Sequence, residues 1–263
     1  VRVGAACLVL GAALAAPPPA AAAWTERPGE GLAIVSFTLK SADRRFDGAG
    51  ASRLADGSRK REVSIYAQYG LDETRTLILQ PVWTRFETAD VSTEGPSTLS
   101  LGLRQRLLAE GPDVVSVQPL IRLPLASGER GSQLGQGEIE GEIRLLWGHG
   151  FAFGFDNPFD ERTEVAGFTV VEWGPRVPEG GRGAHIENDI TLGFRVDDGD
   201  LMLVQLFNTW PLGAPHRRKH QLQPSTVMDL GDGVSLQTGA VYTYAGAGVP
   251  AELGAILGLW LRF

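Results

Sequence analysis

The chain ends Glu252-Leu253-Gly254-Ala255-Ile256-Leu257-Gly258-Leu259-Trp260-Leu261-Arg262-Phe263, and everything before it is read in the light of this stretch. Leu253, Ala255, Leu257, Leu259, Leu261 and Phe263 share one parity, so an extended backbone sets them on one face. The opposite face carries Glu252, Gly254, Gly258 and Arg262, with Ile256 and Trp260 as larger members. A strand with a greasy face and a terminal aromatic needs neighbours of the same kind, because unpaired backbone groups are costly in an apolar medium. The remaining chain must supply a closed ring.

Runs of period-2 alternation recur along the whole chain, separated by turn-rich segments. They fall at about 31–40, 62–69, 74–86, 99–107, 115–125, 138–147, 163–173, 185–195, 201–210, 221–230 and 234–243, and the closing run makes twelve. In residues 99–107, Leu99, Leu101, Leu103 and Leu107 oppose Ser100, Gly102, Arg104 and Arg106; in residues 185–195, Ile186, Ile190, Leu192 and Phe194 oppose His185, Glu187, Asp189 and Thr191. The parity of residues 163–173 is not settled by the pattern. Most runs approach the roughly ten residues that a tilted transmembrane strand requires. The reading is an all-β chain forming an antiparallel, up-and-down transmembrane barrel of about twelve strands, closed by the strand that ends in Phe263.

Composition agrees without deciding. Hydrophobic residues make up 43% and charged residues 21% of 263, ordinary values for a folded chain. Residues 1–23 run from Arg2 through an apolar stretch to Pro17-Pro18-Pro19 and an alanine tract, and read as a secretory signal peptide, leaving 24–263 as the barrel. The single cysteine, Cys7, lies inside that segment, so the barrel has no disulfide and no thiolate ligand. Acids outnumber bases, 31 to 24, which excludes the basic footprint of a nucleic-acid binder.

Connections alternate between tight turns (70–73, 109–113, 197–200, 231–233) and longer polar segments (41–59, 87–96, 127–137, 174–184, 211–219), as in barrels with short periplasmic turns and longer external loops. Residues 148–162 break this order, and their Phe151, Phe153, Phe155 and Phe159 are expected along the inner interface. Tyr69, Trp83, Trp147, Trp173, Trp210, Tyr242 and Phe263 sit near the ends of runs, as girdles at a lipid–water boundary require. A soluble sandwich also alternates, but its several edges would want more lysines than this chain has.

Several segments resemble the bacterial outer-membrane family named for the meta-cleavage pathway of phenol degradation. They are Leu101-Gly102-Leu103-Arg104-Gln105-Arg106-Leu107, Arg122-Leu123-Pro124-Leu125-Ala126-Ser127-Gly128, Leu134-Gly135-Gln136-Gly137, Leu192-Gly193-Phe194-Arg195 and Leu203-Val204-Gln205-Leu206-Phe207-Asn208. The resemblance implies a transporter in the bacterial outer membrane that moves small, aromatic or hydrophobic molecules, and it carries over no catalytic residues.

With the apolar parity outward, the polar parity lines a lumen. Arg104, Arg106, Arg122 and Arg144 lie beside Glu138, Glu140 and Glu142, and His185, Glu187 and Asp189 share that face. They read either as a constriction that selects permeants by charge and size or as a structural ladder of paired charges. No metal site or cofactor is expected: His185 has no second histidine near it, and the cations between His216 and His220 oppose a metal there. That basic segment suits lipopolysaccharide phosphates instead. Expected partners are outer-membrane lipid and lipopolysaccharide, the barrel-assembly machinery through the last strand, and a small-molecule permeant. A barrel hydrolase and a purely structural barrel are the alternatives. Too few residues precede the first run to plug the lumen, so closure is expected from lumen side chains or from residues 41–59.

Overall fold

The computed structural model describes residues 23–263 apart from 135–136, 158–159, 182, 197–199 and 214–216. The proposed signal therefore lies outside the described residues, save for Ala23. Twelve long strands form the wall: β1 (Gly31–Phe46), β2 (Ser52–Asp72), β3 (Arg75–Glu87), β4 (Ser92–Glu110), β5 (Asp113–Pro124), β6 (Glu140–Asn157), β7 (Asp160–Pro178), β8 (His185–Val196), β9 (Asp200–Pro211), β10 (Arg218–Gly231), β11 (Val234–Ala247) and β13 (Leu253–Arg262). A two-residue strand, β12 (Val249–Pro250), pairs with the far end of β1, and a six-residue helix, α1 (Gly128–Gln133), sits in the β5–β6 connection.

Each strand pairs antiparallel with the next, and β1 pairs with both β2 and β13, so the sheet closes. Closure is tied at the chain's last residue: the Gly31 amide donates to the Phe263 carbonyl at 2.7 Å and the Phe263 amide to the Gly31 carbonyl at 3.0 Å. A closed ring leaves no backbone edge unpaired, which is what permits a sheet to stand in hydrocarbon.

The two parities separate as the alternation predicts. Phe37, Leu39, Ile65, Leu77, Leu79, Leu101, Ile121, Leu145, Val204, Leu257 and Leu259 are all exposed on the outer face. Meanwhile Thr76, Thr84, Ser100, Arg104, Ser116, Gln118, Glu142, Gln237 and Thr243 are buried inside. A continuous outward belt of this kind far exceeds the apolar patches that soluble monomers tolerate. Lipid is the solvent that satisfies it.

Tyr69, Trp147 and Phe263 lie toward the end bearing the termini, and Trp83, Trp210 and Tyr242 toward the other, all on the outer face. Trp173 departs from the expected girdle. Its strand continues to Pro178, so this tryptophan stands within the wall, opposite Leu145 and Asn188. The connections are also shorter than the polar segments suggested. Residues 41–59 are mostly hairpin, because β1 runs to Phe46 and β2 starts at Ser52. The irregular segment 148–162 is likewise no loop. β5 and β8 stop pairing at His149 and Gly167, yet β6 and β7 stay paired to Asn157 and Asp160. Phe151, Phe153 and Phe155 thus belong to a strand that overshoots its neighbours, and Phe159 lies outside the described residues.

Candidate functional site

Lumen-facing positions on four consecutive strands build one charged network. Register sets Arg122 opposite Glu140, Glu142 opposite Arg176, Arg176 opposite His185, and Glu172 opposite Asp189. Glu142, whose side chain is fully buried, sits at the centre: Arg122 Nε reaches it at 3.1 Å, Arg176 Nε at 2.9 Å, and Arg144 Nε also donates to it. Arg144 Nη1 continues to Glu172 at 3.0 Å and Asp189 at 2.9 Å. Arg176 Nη1 reaches Glu187 at 3.1 Å, and His185 Nε2 lies 3.0 Å from the same carboxylate. Five carboxylates (Glu140, Glu142, Glu172, Glu187, Asp189) and His185 share three guanidiniums on this wall.

Across the lumen, on β1, β2 and β10 and just before β13, a second cluster has the opposite balance. Lys40 and Lys60 reach Glu62 at 2.7 and 2.8 Å, and Lys219 reaches Glu252 at 2.6 Å. Three ammoniums face two carboxylates here. None of these five was singled out from the sequence.

The residues expected at a constriction therefore divide. Arg122, Glu140, Glu142, Arg144, His185, Glu187 and Asp189 come together, joined by Glu172 and Arg176, which sequence reasoning missed. Their signal is the alternation Glu172, Gly174, Arg176 against Trp173, Pro175, Val177: Glu172 falls in the run whose parity the pattern leaves unsettled, and Arg176 falls beyond its end at Trp173. Glu138 is exposed outside the strands, and Arg106 lies opposite Ser116 toward the termini, away from the network.

Arg104 is completely buried and does something else. Its Nη1 donates to the Trp24 carbonyl at 2.8 Å, its Nη2 to the Tyr66 hydroxyl at 2.9 Å and its Nε to Gln118 at 3.0 Å. The segment before β1 is inside the barrel. Ser116 Oγ donates to the Ala23 carbonyl at 2.6 Å, Gln68 Nε2 to Glu26 at 2.5 Å, and the Glu26 amide to Thr76 Oγ1 at 2.9 Å. Ala23 is fully buried among Leu32, Leu146, Phe168, Val170, Leu203 and Trp260, and the Trp24 ring meets Phe168 edge-on at 6.3 Å. Gly148 makes the space: a Cβ there would stand 2.5 Å from the Trp24 ring. This corrects the expectation that too few residues precede β1 to plug the lumen. In a ring of about twelve strands the bore is narrow, and Ala23 to Glu26 take up part of it at this end.

The basic segment around His216 is also dispersed. Strand alternation turns Lys219 into the lumen and His220 onto the outer wall, where His220 bonds Asn208 Oδ1 at 2.9 Å and packs 4.6 Å from Trp210. His216 lies outside the described residues.

Between the end occupied by Ala23 to Glu26 and the loops the lumen keeps a cavity of about 570 Å³. Arg122, Arg144, Arg176, Glu172, Glu187 and Asp189 line one side, and Leu32, Ile34, Leu203, Phe207, Ile256 and Trp260 line another. The bore is amphipathic rather than uniformly hydrophilic. Lumen apolar residues arise where the inner parity carries Ile256 and Trp260 in β13 or Leu203 and Phe207 in β9.

No protein-family model and no curated protein matches the chain. Among solved structures, an outer-membrane channel from Pseudomonas putida F1 aligns over 92% of this chain and 98% of its own length, with a TM-score of 0.66 at 15% identity. The translocator domain of the autotransporter NalP from Neisseria meningitidis covers 89% and 88%, with a TM-score of 0.45 at 12% identity. The CymD monoaromatic hydrocarbon channel covers 90% and 89%, with a TM-score of 0.43 at 10% identity. The first likeness shows a shared fold, the outer-membrane β-barrel; the other two scores are too low to argue from.

Proposed function

We propose that this chain is an outer-membrane channel for small molecules that pair an apolar, including aromatic, body with a polar group. Its termini and tight turns face the periplasm, following the general rule for such barrels. The observation that carries the reading is the lumen cavity of about 570 Å³ with a charged wall and an apolar wall. A cavity of roughly 150 Å³ already accepts benzene, so a single ring with a substituent fits. The resemblance to the phenol meta-pathway family supports this class of permeant, and β13 with its terminal Phe263 supplies the strand that barrel-assembly machinery would engage.

Passage requires the periplasmic end to open, and the residues holding it shut are those bonded to Ala23, Trp24 and Glu26. The test is planar-bilayer conductance and liposome uptake of phenol and benzoate by the native protein and by Trp24→Ala. Native protein is expected to conduct weakly and the variant more strongly. Glu140→Lys with Glu142→Lys should move ion selectivity toward anions. A Trp24→Ala barrel that folds yet passes neither ions nor either solute would refute the channel and leave the structural barrel.

A further inference from the structure

On β2 and β3 the outer face climbs through Ile65 and Leu79 to Val63, which stands opposite Trp83 at the upper aromatic girdle. The next outward pair toward the loops sets Arg61 directly opposite Arg85, and the one after it sets Arg59 opposite Glu87. Like charges directly across a strand pair are unfavourable, so this storey needs an anion. Glu87 supplies one in part: it lies 2.6 Å from Arg85 but 3.8 Å from Arg61. Glu94, more than half exposed, reaches Arg85 alone at 3.3 Å. Among the described residues Arg59 has no ion pair within 4 Å. Three guanidiniums share two carboxylates, on the face that lies in lipid just below.

The opposite wall differs. The outer faces of β7 and β8 reach the same end of the barrel through Val177 and Ile186. The paired arginines of β2 and β3 have no counterpart at those two strand ends.

We propose that Arg59, Arg61 and Arg85 form a site for the phosphate groups of the phosphorylated glycolipid in the outer leaflet. The height is that of headgroups, one residue pair beyond the aromatic girdle. The chemistry suits guanidinium forks, which bind phosphate oxygens in pairs and with directional, charge-assisted hydrogen bonds. Continuity with the lipid-facing belt selects a lipid over a soluble anion, because acyl chains lying on Leu79, Val63 and Trp83 would bring their headgroup to this storey. Cations adjacent in sequence, at 217–219, are scattered by alternation, whereas cations from two separate strands are gathered by register.

The site rests on the barrel's placement in the outer membrane and not on transport, so the two fail separately. The test uses the full chain, folded in detergent, with bound lipid counted by native mass spectrometry. Added lipids are bisphosphorylated lipid A, its dephosphorylated form, and phosphatidylglycerol. Bisphosphorylated lipid A is expected to bind in preference to both others. Arg59→Gln, Arg61→Gln and Arg85→Gln together should weaken it by about fivefold for each arginine lost, from roughly 1 kcal/mol per cation near an anionic surface. Glu87→Gln should tighten it, and bilayer conductance of the triple variant should equal that of the native protein. Equal binding of the dephosphorylated lipid or of phosphatidylglycerol overturns the proposal, as does unchanged affinity in the triple variant. If the triple variant does not fold, the Glu87→Gln result decides: unchanged or weaker binding overturns the site.

Discussion

Glu142→Gln tests the lumen network at its centre. The glutamate side chain is fully buried and accepts from Arg122, Arg144 and Arg176. Removing one partner of a buried charge pair costs about 3–5 kcal/mol, chiefly because the other charge is stranded. Two of the three arginines are not stranded here. Arg144 keeps Glu172 and Asp189, and Arg176 keeps Glu187. Arg122 alone is left, with only Ser100 Oγ at 3.3 Å. The expected loss therefore sits at the lower end, about 3 kcal/mol. It is measured by urea unfolding in lipid vesicles, followed by tryptophan fluorescence and by gel mobility. Since the cost is assigned to Arg122, Arg122→Met in the Glu142→Gln background should restore most of it, and the double-mutant cycle should show a coupling of more than 1 kcal/mol. A loss under about 1 kcal/mol, or no recovery on removing Arg122, refutes the reasoning.

Gly148→Val should unseat the plug, because a Cβ there overlaps both the Trp24 ring and the Ala23 methyl; bilayer conductance should rise without loss of the folded gel band. Leu257→Arg places a charge on the lipid face in the middle of β13 and should cost about 2–4 kcal/mol of unfolding free energy in vesicles. At the β1–β2 turn, a hydrogen bond from Arg53, with others from the Ala51 and Ala49 amides, holds the Asp47 carboxyl below the usual carboxylate range. Its contribution is present above the ordinary carboxylate pKa and fades as pH falls through the lowered folded value. Hydrogen exchange at Ala49 and Ala51 should lose protection over that acid window relative to Asp47→Asn, which should show no such step.

Alternation made the wall legible because each strand meets two solvents, and a period of two is all that a barrel strand encodes. Leu253 to Phe263 could be assigned to lipid without any partner in view. The failures share a cause. Glu172 stands in a run whose parity the pattern leaves open and Arg176 in a stretch that reads as a polar connection, yet Gly174 lets β7 pass close under β6, where a Cβ would come within 2.0 Å of the Ile143 carbonyl. Strand ends are set by such contacts, not by the local pattern. Ala23 and Trp24 were assigned elsewhere because their burial depends on Gly148, Phe168 and Arg104, all far away in sequence. Parity tells which face a side chain takes. It is silent on what stands opposite across the bore.

That distinction bears on whether the lumen charges are scaffold or selector. Buried ion pairs are weak contributors to stability, since apolar replacements of similar volume often do as well. A network that served only to satisfy itself would be balanced. By formal count the β5–β8 wall holds five carboxylates for three guanidiniums and His185, and the facing cluster three ammoniums for two carboxylates. Asp189 Oδ1 is buried with no hydrogen-bond partner among the described residues, on the wall of the cavity. Charged groups of both signs on opposing walls would orient a dipolar solute in the bore, and low-dielectric walls strengthen such a field. A solute with a dipole gains by turning in that field, and its apolar part then meets Phe207, Ile256 and Trp260. On the proposed channel function, a permeant with a polar end would be held by these walls, and the selectivity of the Glu140→Lys, Glu142→Lys variant separates that role from a scaffold.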